Sequence, residues 1–318
     1  MPILESKNDA GVSRSRSIPP LNGLRWKDQR QFMEQPYFSV QKRKRVRPIE
    51  FESPDGSNSV RIEGIPTFGI ATIWDADILI WAASMLNDAR ERGQGVVSPM
   101  LSTTPYELLK ALGRGTGGKA YRELQAALVR LQSTSIFMSA RASDRLVKIG
   151  FNWIDEWRVE EDPGTGRPLG VAITLSDRVF QSILAEKSLL TLDPAYLELS
   201  GGIERALYRV IRKHAGLQWG GWICRLELLR QKIGSESAPK EFGRMIREIV
   251  QANQLPGYQV ELVCTASGQP ALQCRLRGQA EHDEAVAIKQ EYHERSLRIA
   301  ERQHHINRID RAMEAGRR

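Results

Sequence analysis

Four side chains in the last third of the chain have the types and spacing to touch nucleic acid. Lys240, Arg244, Arg247 and Gln251 recur at intervals of four, three and four residues. At 100° per residue they fall within about a 60° arc of one helical face. Phe242, Met245, Ile246 and Ile249 take the opposite side, and Glu241 and Glu248 stand on a flank. Such a helix buries one side against its own domain and holds long hydrogen-bond donors outward. Arginine can pair bidentately with guanine, and glutamine with adenine, in a major groove. A surface helix with a solvated basic face has the same pattern, so the neighbouring elements must decide between the two.

A less clean stripe lies earlier. Lys119, Arg122 and Arg130 share a face with the small Ala126, but Glu123 intrudes. That mixture suits phosphate contact or a protein interface as well as base reading. Arg114, in the glycine-rich turn ahead of it, is a further candidate for a phosphate. Arg145 and Lys148, with Arg141, surround a tip between two alternating segments, where a wing would meet DNA. Lys42, Arg43, Lys44 and Arg45 belong to a dense basic run, Gln41–Arg47. It reads either as a solvated flexible arm or as an arm resting on phosphates or in a minor groove.

Catalytic readings fare worse. Gly113-Arg-Gly-Thr-Gly-Gly118-Lys119 has the GxxxxGK spacing of a phosphate loop, but Ala120 follows where a magnesium-binding hydroxyl belongs. The preceding segment, Pro105–Leu112, reads as a capped helix, whereas a phosphate loop follows a buried strand. No alternation of strand and helix supplies a parallel sheet either. The five histidines include no His-x-His pair to hold a metal beside a nucleophilic tyrosine. Cys224, Cys264 and Cys274 have neither CxxC spacing nor nearby histidines, which argues against zinc. These residues predict a binder with no catalysis, cofactor or metal, and free thiols in the cytoplasm.

Charge narrows the partner. The 318 residues carry a formal +8, of which Met1–Pro48 supplies +7, leaving +1 for the rest. A nucleic-acid surface in the folded part must therefore come from charges sorted onto one face. The longest strongly apolar run, Ile78–Ala83, is far too short to span a bilayer, so no membrane partner is expected.

The elements that would position these side chains come in the same order twice, around residues 71–157 and 201–277. Thr72 and Asp75 suggest a capped first helix with Trp74, Ile78, Trp81 and Met85 on its apolar stripe. Thr104-Pro105-Tyr106-Glu107 starts a second helix, Gly113 stops it, and Lys119–Leu131 forms a third. Alternating segments at Ile136–Met138 and Ile149–Trp153 follow, and a further strand near Val171–Leu175. A linking segment, 176–193, holds one helix. The later set has helices at 203–211, 225–233 and 239–253, then a hairpin from Tyr258 to Leu276 turning at Ser267-Gly268. Helix-turn-helix plus hairpin is the winged-helix arrangement. The expectation is a mainly α protein with small antiparallel β-hairpins, built from tandem winged helices. Its parts would be a flexible basic arm (1–60), two winged-helix domains (61–175 and 176–278) and a helical tail (279–318).

Several longer phrases resemble the replication initiator protein A family, initiators of bacterial plasmids. They are Lys42-Arg-Lys-Arg-Val-Arg-Pro-Ile-Glu50, Ala71-Thr-Ile-Trp-Asp-Ala-Asp-Ile-Leu-Ile-Trp-Ala-Ala83, Thr104-Pro-Tyr-Glu-Leu-Leu109 and Gly113-Arg-Gly-Thr-Gly-Gly118. Leu131–Thr134, Ile173–Asp177, Gly201–Arg205, Arg212–Gly216 and Leu255–Tyr258 extend the likeness. The resemblance implies sequence-specific binding of double-stranded DNA at a plasmid origin, at direct repeats. It also implies opening of adjacent AT-rich DNA and recruitment of the host initiator and replicative helicase. By analogy with other two-winged-helix initiators, a monomer would act at the origin and a homodimer would repress its own gene. A winged-helix repressor with no replication role is the alternative.

Overall fold

The computed structural model describes residues 24–278, apart from 94–96, 143–144 and 217–219. The expected tail helix and the first 23 residues of the expected arm lie outside the described residues.

The same path through space is traced twice. In the first unit, α1 (Ala76–Glu91) leads to β4 (Met100–Thr103), α2 (Pro105–Ala111) and α3 (Gly118–Ser133). A hairpin of β7 (Ile154–Glu161) and β8 (Pro168–Leu175) closes it, with β8 pairing to β4, so the sheet runs β4-β8-β7. In the second unit, α5 (Gly202–His214), β10 (Trp222–Arg225), α6 (Leu226–Ile233) and α7 (Pro239–Ala252) precede the hairpin β11 (Tyr258–Cys264) and β12 (Pro270–Leu276). There the sheet runs β10-β12-β11. Helix, strand, helix, helix and a returning hairpin arm define a winged helix, and the chain holds two.

The mainly α expectation is overturned. The described residues are about 37% helix and 29% strand, with four antiparallel sheets among them. The strands that periodicity missed are short, or exposed along much of their length. They include β1 (Lys27–Gln29), β2 (Ile49–Glu52), β3 (Asn58–Glu63), β9 (Leu189–Thr191), β4 and β10. Three or four alternating residues are too few to register as a period.

A second correction concerns the first wing. Between α3 and β7 the chain inserts another hairpin, β5 (Ser135–Ala142) and β6 (Arg145–Asn152), which joins β2 and β3 in the order β2-β3-β5-β6. The tip expected to be the wing, with Arg141, Arg145 and Lys148, belongs to this inserted sheet. The topological wing is β7–β8, turning through Asp162–Arg167. Both hairpins alternate, and only the pairing of β4 with β8 tells them apart.

Local chemistry sets the helix ends. Thr104 Oγ1 accepts from the Glu107 amide at 3.1 Å while the Glu107 carboxylate accepts from the Thr104 amide at 3.4 Å, and Pro105 opens α2. Thr72 and Asp75 make the same reciprocal pair, but α1 begins after it, at Ala76. Residues Ala76–Leu86 are all buried, so α1 is a central helix covered on every side rather than a surface helix with one apolar stripe. Ile78, Leu79 and Trp81 enter the first core, and Ile80 enters the second.

The segment expected to be a free arm is part of the scaffold from residue 24 onward. β1 pairs with β9, carried on the linking segment beside α4 (Asp177–Leu184), and β2 and β3 build the inserted sheet. Phe32, Tyr37, Phe38 and Ile49 are buried in the first core and Met33 in the second. The density of charge around them hid these apolar anchors in the sequence.

Buried ion pairs cross between the units. Arg205 of α5 donates to both Asp77 carboxylate oxygens, at 2.7 and 2.9 Å, and to the Leu197 and Leu199 carbonyls. Arg209 reaches Asp28 at 2.7 Å and lies over the Phe38 ring. Gly202 lets α5 start hard against the N-terminal strap (residues 24–48), because a Cβ there would overlap the Val40 carbonyl and the Trp74 ring.

Candidate nucleic-acid interface

Helix α7 starts at Pro239 and ends at Asn253, whose left-handed conformation (φ 45°) breaks the hydrogen-bond ladder. Its inner face, Phe242, Ile246 and Ile249, is buried against Leu229, Leu207 and Val260 in the second core. Lys240, Arg244, Arg247 and Gln251 are all exposed. Among the described residues no carboxylate pairs with Lys240 or Arg247.

Arg244 is different. Its guanidinium is bidentate to Glu241, at 2.6 and 3.0 Å, and also meets Glu248. The hydrogen bond from Arg244 holds the Glu241 carboxyl below its usual range, and Glu241 in turn pushes the guanidinium pKa up. The two glutamates therefore do not stand aside from the basic stripe. They occupy its first arginine, Arg244, in the free protein.

In the first unit the candidates divide. Lys119 is 84% exposed at its side chain, with Glu123 at 3.7 Å, and Arg122 is exposed beside it. Arg130 instead turns inward to a bidentate pair with Asp75, at 2.7 and 2.8 Å. Arg114 reaches Asp77 at 3.0 Å and the Trp74 carbonyl, so it joins the buried cluster between the units. Neither is placed to hold a phosphate. A basic residue looks the same in sequence whether its partner is DNA or a buried aspartate.

The basic run is likewise sorted. Arg45 is 8% exposed, donates to the carbonyls of Arg47, Pro48 and Gly234, and sits beside Glu236. It clamps the strap to the turn before α7 and is unavailable to a ligand. Lys42, Arg43 and Lys44 are exposed but fixed, with Lys42 over the Trp74 ring and Lys44 bonded to the Thr67 carbonyl. Arg145 and Lys148 are exposed on β6, and no described carboxylate pairs with them.

The true first wing carries Asp155, Glu156, Glu160, Glu161 and Asp162 against Arg158 and Arg167. That excess of negative charge repels phosphate, so this wing is ill suited to a nucleic-acid backbone. Sequence reasoning missed Tyr106, exposed with the Lys110 ammonium over its ring, and Phe137, exposed on β5. The four-residue interval between Tyr106 and Lys110 was the available signal for the first. For Phe137 the signal was alternation, since Ile136 and Met138 facing inward put it on the outer side of β5.

The glycine loop 113–118 joins two helices and is not preceded by a strand, so the geometry that lets a phosphate loop cradle a nucleotide is missing. Among the described residues, no three His, Cys, Asp or Glu side chains cluster to hold a metal. Burial pushes the Cys224 and Cys274 thiols up to about 11 and 12, so both stay protonated at neutral pH. No described helix is long and apolar enough to cross a membrane.

A family model described as replication initiator protein A matches residues 27–260. The chain belongs to that family. The match covers both winged helices up to β11 and most of the basic strap. A "Putative replication protein" of Wigglesworthia glossinidia brevipalpis is 30% identical over 231 residues, 72% of this chain and 82% of that protein. Among solved structures, domains 2 and 3 of RctB superpose with a TM-score of 0.58, covering 77% of this chain and 98% of theirs. A second structure of RctB domains 2-3 gives 0.52, covering 76% and 94%. Identity to both is 12%, so they speak for the fold of the two tandem units alone.

Proposed function

We propose that this family member starts replication by binding duplex DNA at its origin, with α7 reading bases and α3 holding the backbone. The observation that carries this reading is the outward face of α7. In a duplicated winged-helix scaffold it leaves Lys240, Arg247 and Gln251 exposed, with no carboxylate on them among the described residues, over a buried apolar side of Phe242, Ile246 and Ile249. Family membership supplies the process, and this face supplies the means. On this reading the bound protein then passes the origin to the host initiator and replicative helicase.

A footprint of the purified chain on the DNA upstream of its own gene tests the reading. Two third helices in successive grooves should protect repeats about 10–10.5 base pairs apart, centre to centre. If six to ten phosphates are contacted, affinity should fall by about 10³–10⁵ between 50 and 200 mM salt. Equal protection of every sequence, or none, would end the proposal. A plasmid stripped of its initiator and given this gene with its upstream repeats should replicate. Failure there, with the footprint intact, would leave a repressor instead.

A further inference from the structure

Among the described residues the inserted sheet β2-β3-β5-β6 has no counterpart in the second unit, and its outward face borders a concavity of about 880 Å³. Phe137 stands in the middle of that face, 47% exposed. The register puts Arg61 on one side of it and Gly150 on the other. Gly150 has no side chain to screen the ring, and a Cβ there would meet the ring carbons at 3.5 Å. One step along the same face, the Ser59 and Ser139 hydroxyls bond to each other at 2.6 Å, with Lys148 next in line on β6.

Charge on this face is graded. Arg61 is already paired with both Glu50 and Glu63 on the β2 and β3 side, which stays net negative. Toward the β6 side of this face, Arg141 on β5 and Lys148 on β6 are exposed, with no described carboxylate on either. The face therefore offers an aromatic ring, hydroxyls beside it and a cationic border. A double helix cannot use the ring, because its bases are stacked out of reach. Residues two apart on a strand lie about 6.6–6.8 Å from one another, twice the 3.4 Å base spacing of a duplex strand. Bases seated at successive positions on this face must be unstacked.

We propose that the outward face of this sheet binds single-stranded DNA, with one base stacked on Phe137 and phosphates along Arg141 and Lys148. The Ser59–Ser139 pair meets the edge of the stacked base. This site is separate from α7 and does not depend on how duplex DNA is held. Stacking on one ring accounts for much of such affinity and tolerates any base.

The test is fluorescence anisotropy of the full chain with labelled (dT)20 and with a duplex of its origin. Wild-type protein should bind (dT)20 at 50 mM salt, Phe137→Ala should weaken it about tenfold or more, and Phe137→Trp should restore it. Lys148→Ala should lower the salt slope for (dT)20 by about 0.7. Phe137→Ala should melt with the wild type and keep its duplex affinity, because the ring is already exposed. The proposal is overturned if wild type ignores (dT)20, if Phe137→Ala binds it as wild type does, or if the variant loses both DNAs equally.

Discussion

Arg244 and Arg247 carry the same charge on the same face of α7, yet they would enter a complex from different states. Arg247 is uncommitted, whereas Arg244 must first release Glu241 and Glu248. Exposed pairs of this kind are individually weak, but the freed carboxylates would remain beside the phosphates. Arg247→Ala should therefore weaken binding to the footprinted site by about 10- to 100-fold and relax one base preference. Arg244→Ala should cost less, by anisotropy on the same duplex. The reverse order would show that the glutamates orient Arg244 for a base rather than hold it back. His214 makes a different residue-scale prediction. It stacks on Trp222 at 4.6 Å, and burial, helped by Lys232 and opposed by Glu34, takes its pKa down to about 4. The unfolded imidazole takes its proton near 6.5, so between 6.5 and 4 the unfolded chain binds more protons. This contribution to stability is complete above about pH 6.5 and is lost as pH falls toward 4. His214→Gln should flatten that part of a melting-temperature profile, and an unchanged slope would contradict the assignment. The outward placement of Lys240, Arg247 and Gln251 was legible because helical phase alone decides it. Arg114, Arg130 and Arg45 were not, because their partners Asp77, Asp75 and Gly234 lie 37, 55 and 189 residues away.

Elements with chemical punctuation could be read from sequence, the Tyr258–Leu276 hairpin with its Ser267-Gly268 turn included, and strands placed only by distant pairing could not. Thr104, Pro105 and Glu107 announce α2, and Gly234 and Pro239 frame α6 and α7, because caps and breakers act locally. The inserted hairpin and the true wing carry similar alternation, so their roles depended on a contact between β4 and β8 some seventy residues apart. β2 and the start of β3 fell within the expected flexible arm for the same reason. Their inner residues, Ile49, Phe51, Val60 and Ile62, become core only once β5 lies beside them. The cap on α2 gives a test at this scale. The helix has seven residues, too few to persist on propensity, so it depends on its start signal and on burial of Leu108 and Leu109. Thr104→Ala should destabilise the fold by about 0.5–2 kcal/mol in urea titration, and Thr104→Ser should recover most of that. Equal stability of all three would mean that packing alone places the α2–α3 turn.

At the scale of the molecule, the two winged helices are tied at one buried cluster rather than strung on a linker. Asp77 of α1 is fully buried and accepts from Arg205 of the second unit and Arg114 of the first, while Asp28 of the strap holds Arg209. Ile80, on the same helix as Asp77, belongs to the second core. A rigid junction matters to an origin binder, because the angle between units sets the spacing of the grooves they can reach together. Arg205→Ala would leave Asp77 with half its partners in a dry site, and breaking a buried pair in this way costs about 3–5 kcal/mol. The variant should melt well below the wild type. At a temperature where it is still folded, it should protect single half-sites while losing the fixed separation between them. An Arg205→Ala protein that keeps both its melting temperature and its paired footprint would show that the apolar seam around Ile80 alone sets the geometry.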